Sequence, residues 1–162
     1  MKAIKVLLRV VGLALCFLVL GANALAQGPD LYFHARTIRL PRGVAVGPNQ
    51  RIYVADSDNH RIQILAPDGT PLQQWGRWGE EALQFYSPGG LAVDPLGRVL
   101  VADTRNDRIQ VLAPDGSLLH IWGRFGSGPL QFAGPETITL GGDGRIYVAD
   151  TGNHRVQVLA PS

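Results

Sequence analysis

Short apolar stretches separated by turn residues follow one another along most of this chain. In the first such group, residues 43–46, 51–55, 61–65 and 71–75 are rich in β-branched and aromatic side chains. Clusters of Gly, Pro, Asn and Asp bound each stretch, which is the pattern of strands and turns. No part of this region keeps the 3.6-residue period of an amphipathic helix. The pattern predicts an all-β fold.

The pattern inside each strand predicts its neighbours. Residues 52–55 are apolar at every position, as expected for a strand with both faces covered. Residues 61–64 alternate between polar and apolar, which predicts a strand closer to a solvated edge. Covered central strands flanked by wetter outer strands indicate four-stranded blades of a β-propeller.

The whole group repeats with a fixed period. Asp56, Asp103 and Asp150 are 47 residues apart, and the same holds for Pro41, Pro88 and Pro135. Such a period indicates a repeat architecture. The sequence therefore predicts a domain of three blades over residues 41–162, with repeats at 41–87, 88–134 and 135–162, the last without a fourth strand.

A polar turn recurs in all three repeats. We expect its Asp to accept N–H groups of the following turn, its Asn to adopt the left-handed conformation, and its Arg to pair with the Asp. These roles are structural rather than functional. The nine residues are Asp56, Asn59, Arg61, Asp103, Asn106, Arg108, Asp150, Asn153 and Arg155.

These turns carry a resemblance to a known family. The segments Asn59-His60-Arg61-Ile62 and Asn153-His154-Arg155-Val156, behind Val-Ala-Asp, resemble the NHL repeat. The resemblance implies a β-propeller, usually six-bladed, that serves as a binding platform for proteins, RNA or other ligands. Some similar propellers are enzymes or sensor parts of larger proteins. Only three repeats are present here, so the chain is a partial propeller, a fragment of a larger sensor, or half of a homodimer that completes a six-bladed ring.

The repeats also indicate where a ligand would bind. Because strands alternate in direction, the connections after the second and fourth strands share one face, and there the repeats differ most. Neutral drift of exposed turns is the alternative explanation, and the aromatic side chains could instead pack around Phe85 and Phe132. The candidate ligand-binding or partner-binding residues are Arg42, Asp58, His60, Arg77, Trp78, Arg105, Asp107, Arg124, Phe125, Glu136 and His154.

The sequence predicts no catalytic, cofactor-binding or metal-ligating residue. His60 and His154 invite a zinc interpretation, but the middle repeat has Asp107 there, which favours turn surface. The inner strands offer no metal ligand, and no nucleophile–base constellation stands out. A non-catalytic scaffold for a protein or small ligand is the leading hypothesis, and a propeller lyase or lactonase is the alternative.

The first 26 residues resemble a secretory signal peptide. Lys2, Lys5 and Arg9 precede an apolar run and an Ala-x-Ala site, so we expect cleavage after Ala26 and a secreted or periplasmic protein without a stable membrane anchor. Residues 27–40 form a lead-in with one strand at 31–35, which could complete the last blade of a partner. From residue 27 onward the chain has twelve arginines and thirteen acidic residues. The resulting formal charge of −1 argues against nucleic-acid binding.

Overall fold

The computed structural model describes residues 38–160. The signal peptide, the lead-in strand at 31–35 and its exchange between partners lie outside the described residues. Within 38–160, no helix is long and apolar enough to cross a membrane. Three 3₁₀ turns are the only helical elements in this part of the chain, and all other regular structure is strand.

The strands form three separate antiparallel sheets, which we call blades. The first two blades have four strands each, in the order β1-β2-β3-β4 and β5-β6-β7-β8, and the third has three, β9-β10-β11. The predicted all-β propeller blades are therefore confirmed. The strands are β1 Pro41–Val46, β2 Ile52–Asp56, β3 Arg61–Leu65, β4 Pro71–Trp75, β5 Leu91–Val93, β6 Val99–Asp103, β7 Arg108–Leu112, β8 Leu118–Trp122, β9 Pro135–Leu140, β10 Ile146–Asp150 and β11 Arg155–Leu159.

Each hydrophobic core lies between two blades. We call the face of a blade that is directed towards the next blade along the chain its trailing face, and the opposite face its leading face. The first core joins the trailing face of the first blade, including Ile62 and Ile64, to the leading face of the second, including Phe85 and Leu91. The second core repeats this arrangement one blade further on. The middle strands are apolar throughout because both of their faces are covered.

The aromatic residues at the blade boundaries belong to these cores. Phe85 and Phe132 are fully buried. Trp75 and Trp122, at the ends of the fourth strands, are half-buried and pack against the same clusters. Burial of such large rings dominates core energetics, so these four residues contribute to packing.

The third strands of the first two blades, β3 and β7, are not solvated edges, which corrects the expectation from their alternating pattern. Gln63 and Gln110 are buried, with 5% and 0% exposure. The amide of Gln110 donates from Nε2 to the Gln84 carbonyl, at 2.6 Å, and its Oε1 accepts from the Leu83 N–H, at 3.0 Å. The loop between β4 and β5 covers this strand, so its polar position binds backbone groups instead of water.

A polar cavity at the loop face of the blades

The repeated Asp is the centre of a buried hydrogen-bond network. Asp103 is fully buried, and its Oδ1 accepts from the backbone N–H of Tyr86 at 2.8 Å. Its Oδ2 accepts from Asn106 Nδ2, Arg108 Nε and Gln110 Nε2, at 2.9, 2.8 and 3.0 Å. The predicted bond to the following turn is wrong, because no carboxylate caps that turn. The N–H comes instead from the loop that enters the blade, 17 residues earlier.

The paired Arg extends this network along the same loop. Arg108 donates to the carbonyls of Glu80, Glu81 and Gln84 at 2.6, 2.8 and 3.0 Å. Arg155 makes the corresponding bonds to the loop between β8 and β9. These two Asp–Arg pairs thus fasten each long inter-blade loop to the blade that follows it. Charge-assisted bonds of this kind are the strong ones, so the loop face is built on a rigid base.

The left-handed residue of each turn is not the Asn but the residue after it. His60, Asp107 and His154 have φ of 55°, 53° and 53°. In two blades this side chain also joins the next blade: His60 Nδ1 accepts from the Ser87 N–H at 3.0 Å, and Asp107 Oδ1 accepts from the Gly134 N–H at 2.7 Å. His and Asp can replace each other here because each supplies an acceptor at the same place.

A cavity of about 470 Å³ opens on the loop face, where all three blades meet. Four of the sequence-predicted candidates line it: Arg42 from the first blade, Arg105 and Asp107 from the second, and Glu136 from the third. Its other lining residues are Tyr86, Ser87, Thr104 and Gly134.

The cavity carries charges of both signs. The Arg105 guanidinium carbon lies 5.5 Å from the centre of the Tyr86 ring, a cation–π distance. Arg42 and Glu136 are exposed, and neither forms an ion pair with a described residue. Asp107 is occupied by the Gly134 N–H. The side chains that border the cavity are therefore two guanidinium groups, two carboxylates, one phenol ring and two hydroxyl groups.

The remaining candidates lie beside the cavity or away from it. The rings of His60 and Trp78 make edge contacts with Tyr86, at centroid distances of 5.6 and 6.3 Å. Trp78 and Phe125 are 65% and 74% exposed, so neither is a core residue. Five candidates do not line the cavity and are exposed: Asp58, Arg77, Arg124, Phe125 and His154.

Comparison of the repeats could have found the central ring that sequence reasoning missed. Tyr86 occupies the repeat position of Arg39 and Ala133, a difference as large as those that marked the candidates. At one of the differing positions the variation has a packing cause, because Gly89 stands where the other two repeats have Arg42 and Glu136. A Cβ on Gly89 would lie 2.6 Å from the Glu136 carbonyl oxygen and 2.6 Å from Thr104 Oγ1. Close packing of the third blade therefore requires glycine there, whatever the ligand.

The described part of the chain offers no ready metal centre. Within residues 38–160, no group of three or more His, Cys, Asp or Glu side chains is arranged to hold a metal ion. Asp94, on the opposite face, lines a largely apolar cavity of about 570 Å³. Its carboxylate accepts from the N–H groups of Leu96 and Arg98 and pairs with the Arg98 guanidinium. That acid therefore holds its own turn together.

Comparison with known proteins agrees with this architecture. A family model described as NHL repeat matches residues 39–65, 85–112 and 132–159, together just over half of the chain, and confirms the resemblance seen in the sequence. No curated protein matches significantly.

Several solved structures are similar in fold. A catalytically inactive variant of virginiamycin B lyase from Staphylococcus aureus, crystallised with quinupristin, is 17% identical, with a TM-score of 0.58 over 74% of this chain and 38% of that one. A structure of the nidogen/laminin complex is 23% identical, with a TM-score of 0.61 over 76% and 45%. A protein of unknown function from Bacteroides caccae is 20% identical, with a TM-score of 0.52 over 74% and 42%. The chain spans about two fifths of the length of these structures, and the likeness concerns the fold.

Proposed function

Because the chain belongs to the NHL-repeat family, we propose that it is an exported, non-catalytic β-propeller scaffold that binds a protein or a small ligand at its loop face. One observation carries the proposal. The side chains in which the three repeats differ, Arg42, Arg105 and Glu136, line one cavity together with Tyr86. Residues that match between repeats build the blades, whereas the blade fold does not depend on these three side chains. Loops held on a rigid scaffold are where binding groups concentrate.

The chemistry of the cavity favours a ligand that carries a carboxylate. A guanidinium fork binds carboxylate through two parallel N–H···O bonds, and two such groups border this cavity. The Tyr86 ring adds an apolar surface beside Arg105, and Glu136 can accept from an ammonium group on the same ligand. A peptide segment with acidic and basic side chains, or a free amino acid, has this combination of charges. A polyanionic nucleic acid fits less well, because Glu136 would repel its phosphates.

Binding measurements with defined probes test this proposal. We expect short acidic–basic peptides and free amino acids to raise the unfolding temperature of the wild-type protein, with binding then quantified by calorimetry. Arg42→Glu and Arg105→Glu should weaken binding at least about tenfold without lowering stability, because both side chains are exposed. Arg51→Glu, on the opposite face, is the matched charge-reversal control. Binding that Arg51→Glu reduces and the other two variants leave unchanged would refute the assignment.

Export is part of the same proposal, and its support is the Lys-containing start, apolar run and Ala-x-Ala site of residues 1–26. The alternative function is a propeller enzyme of the lyase or lactonase type, since two similar structures are virginiamycin B and streptogramin B lyases. Their identity of 17–18% supports the shared fold alone. Incubation with quinupristin followed by mass spectrometry tests this alternative, and a converted product would contradict the non-catalytic scaffold.

A further inference from the structure

The two contacts between blades use the same pair of hydrogen bonds, which we call the latch. A hydroxyl on the trailing face donates to a proline carbonyl of the next blade: Ser57 to Pro88, and Thr104 to Pro135, the latter at 2.8 Å. The left-handed residue three positions later, His60 or Asp107, accepts the N–H of the residue just before that proline. Each latch lies beside a buried apolar contact between the same two blades.

The third blade presents the latch residues and the valine positions of such a trailing half to solvent, without a described counterpart of the fourth strand that carries Trp75 or Trp122. Thr151 and His154 occupy the two latch positions, and neither side chain has a hydrogen-bond partner among residues 38–160. Val156 and Val158 are 62% and 52% exposed. Their counterparts in the first two blades are buried to 1% exposure or less: Ile62, Ile64, Ile109 and Val111.

The first blade presents the matching leading half. Leu40 has a φ of 48°, like the latch N–H donors Ser87 and Gly134 at 52° and 59°, and Pro41 follows it as the acceptor. On β1, Val44 and Val46 are 68% and 64% exposed. The counterparts of Val44 are 5% and 7% exposed. On the two central strands of the same face, Val54 of β2 and Leu65 of β3 are buried, so β1 is its open part.

We propose that a second copy of this chain occupies both open faces, with the trailing face of each third blade against the leading face of the partner's first blade. A second copy carries the groups that the internal latches use. Its third blade has the hydroxyl of Thr151 and the acceptor of His154, and its first blade has the N–H of Leu40 and the carbonyl of Pro41. Head-to-tail contacts generate a ring when the rotation closes. Two copies of the described region supply six blades, within the roughly four to eight of known propellers, whereas three copies of it would supply nine. Closure of the ring also covers the exposed valines of β1 and β11, which would otherwise form two apolar patches on the surface.

Light scattering on the purified protein tests the proposal. The wild type should have twice the mass of one chain, and Val156→Asp should halve that mass, because the charge would be buried in each interface. Leu119→Asp is the matched control: Leu119 is 42% exposed on the middle blade, whose two faces are already covered, and the variant should keep the doubled mass. If Val156→Asp does not fold, as judged by circular dichroism, Val44→Asp tests the opposite face in the same way.

The latch allows a sharper test, because the middle repeat shows which replacement works. His154→Ala should raise the dimer dissociation constant about fivefold at each interface, since it removes one hydrogen bond. His154→Asp should restore dimerisation, because Asp107 makes this bond inside the chain. A folded wild-type protein with the mass of one chain at high concentration would overturn the proposal. A dimer that neither Val156→Asp nor Val44→Asp weakens would also overturn it.

Discussion

Removal of the Asp103 carboxylate should be among the most destabilising single changes in the chain. The residue is fully buried, and its ion-pair partner Arg108 is only 12% exposed. Asp103→Ala leaves the Tyr86 N–H and three side-chain donors without their acceptor. Each unsatisfied buried group costs about 1–3 kcal/mol, and breaking a buried ion pair from one side costs about 3–5 kcal/mol. Because these contributions overlap, we expect a loss of about 3–5 kcal/mol.

Urea-induced unfolding gives the assay, and the chain supplies its own controls. Asp143→Ala breaks an ion pair whose partners are 59% and 53% exposed, so it should cost about 0–1 kcal/mol. Asp103→Asn keeps one carbonyl oxygen and should fall between the two. Since a domain's total stability is about 5–15 kcal/mol, Asp103→Ala should remove a large fraction of it and lower the urea concentration at the unfolding midpoint accordingly. A loss no greater than that of Asp143→Ala would refute the interpretation of the turn as a buried structural node.

Three further predictions follow from the same geometry and from the leader. Burial raises the pKa of Asp150, but hydrogen bonds from the Ala133 N–H and from three side chains outweigh it and lower that pKa overall. The stability that this carboxylate contributes is therefore present above its unfolded pKa of about 4 and is lost as pH falls through its lower folded pKa; Asp150→Asn should flatten this acid dependence in unfolding measurements. Gly89→Ala should cost about 1–3 kcal/mol because its Cβ meets two oxygen atoms, whereas Gly142→Ala, with nothing within 4 Å, should be near neutral. N-terminal sequencing of the exported protein should begin at Gln27, and a start at Met1 would contradict the predicted leader.

The sequence alone determined the blades. Strand positions depend on local alternation and turn residues, and the 47-residue spacing of Asp56, Asp103 and Asp150 repeats them in register. The pairing of each Asp with its Arg could also be predicted, since the two residues face each other across a hairpin, as Asp103 and Arg108 do in the register of β6 and β7. These features need only short-range geometry.

Only the tertiary structure decided which groups the polar residues contact. The N–H donor to Asp103 comes from Tyr86, and Gln110 is buried because the β4–β5 loop folds over it. Both contacts depend on how a long loop returns to a neighbouring blade, which no local pattern records. The cavity has the same origin: Arg42, Arg105 and Glu136 are far apart in sequence and meet because three blades pack side by side. Local periodicity specifies each sheet, whereas the packing of one sheet on the next determines the site.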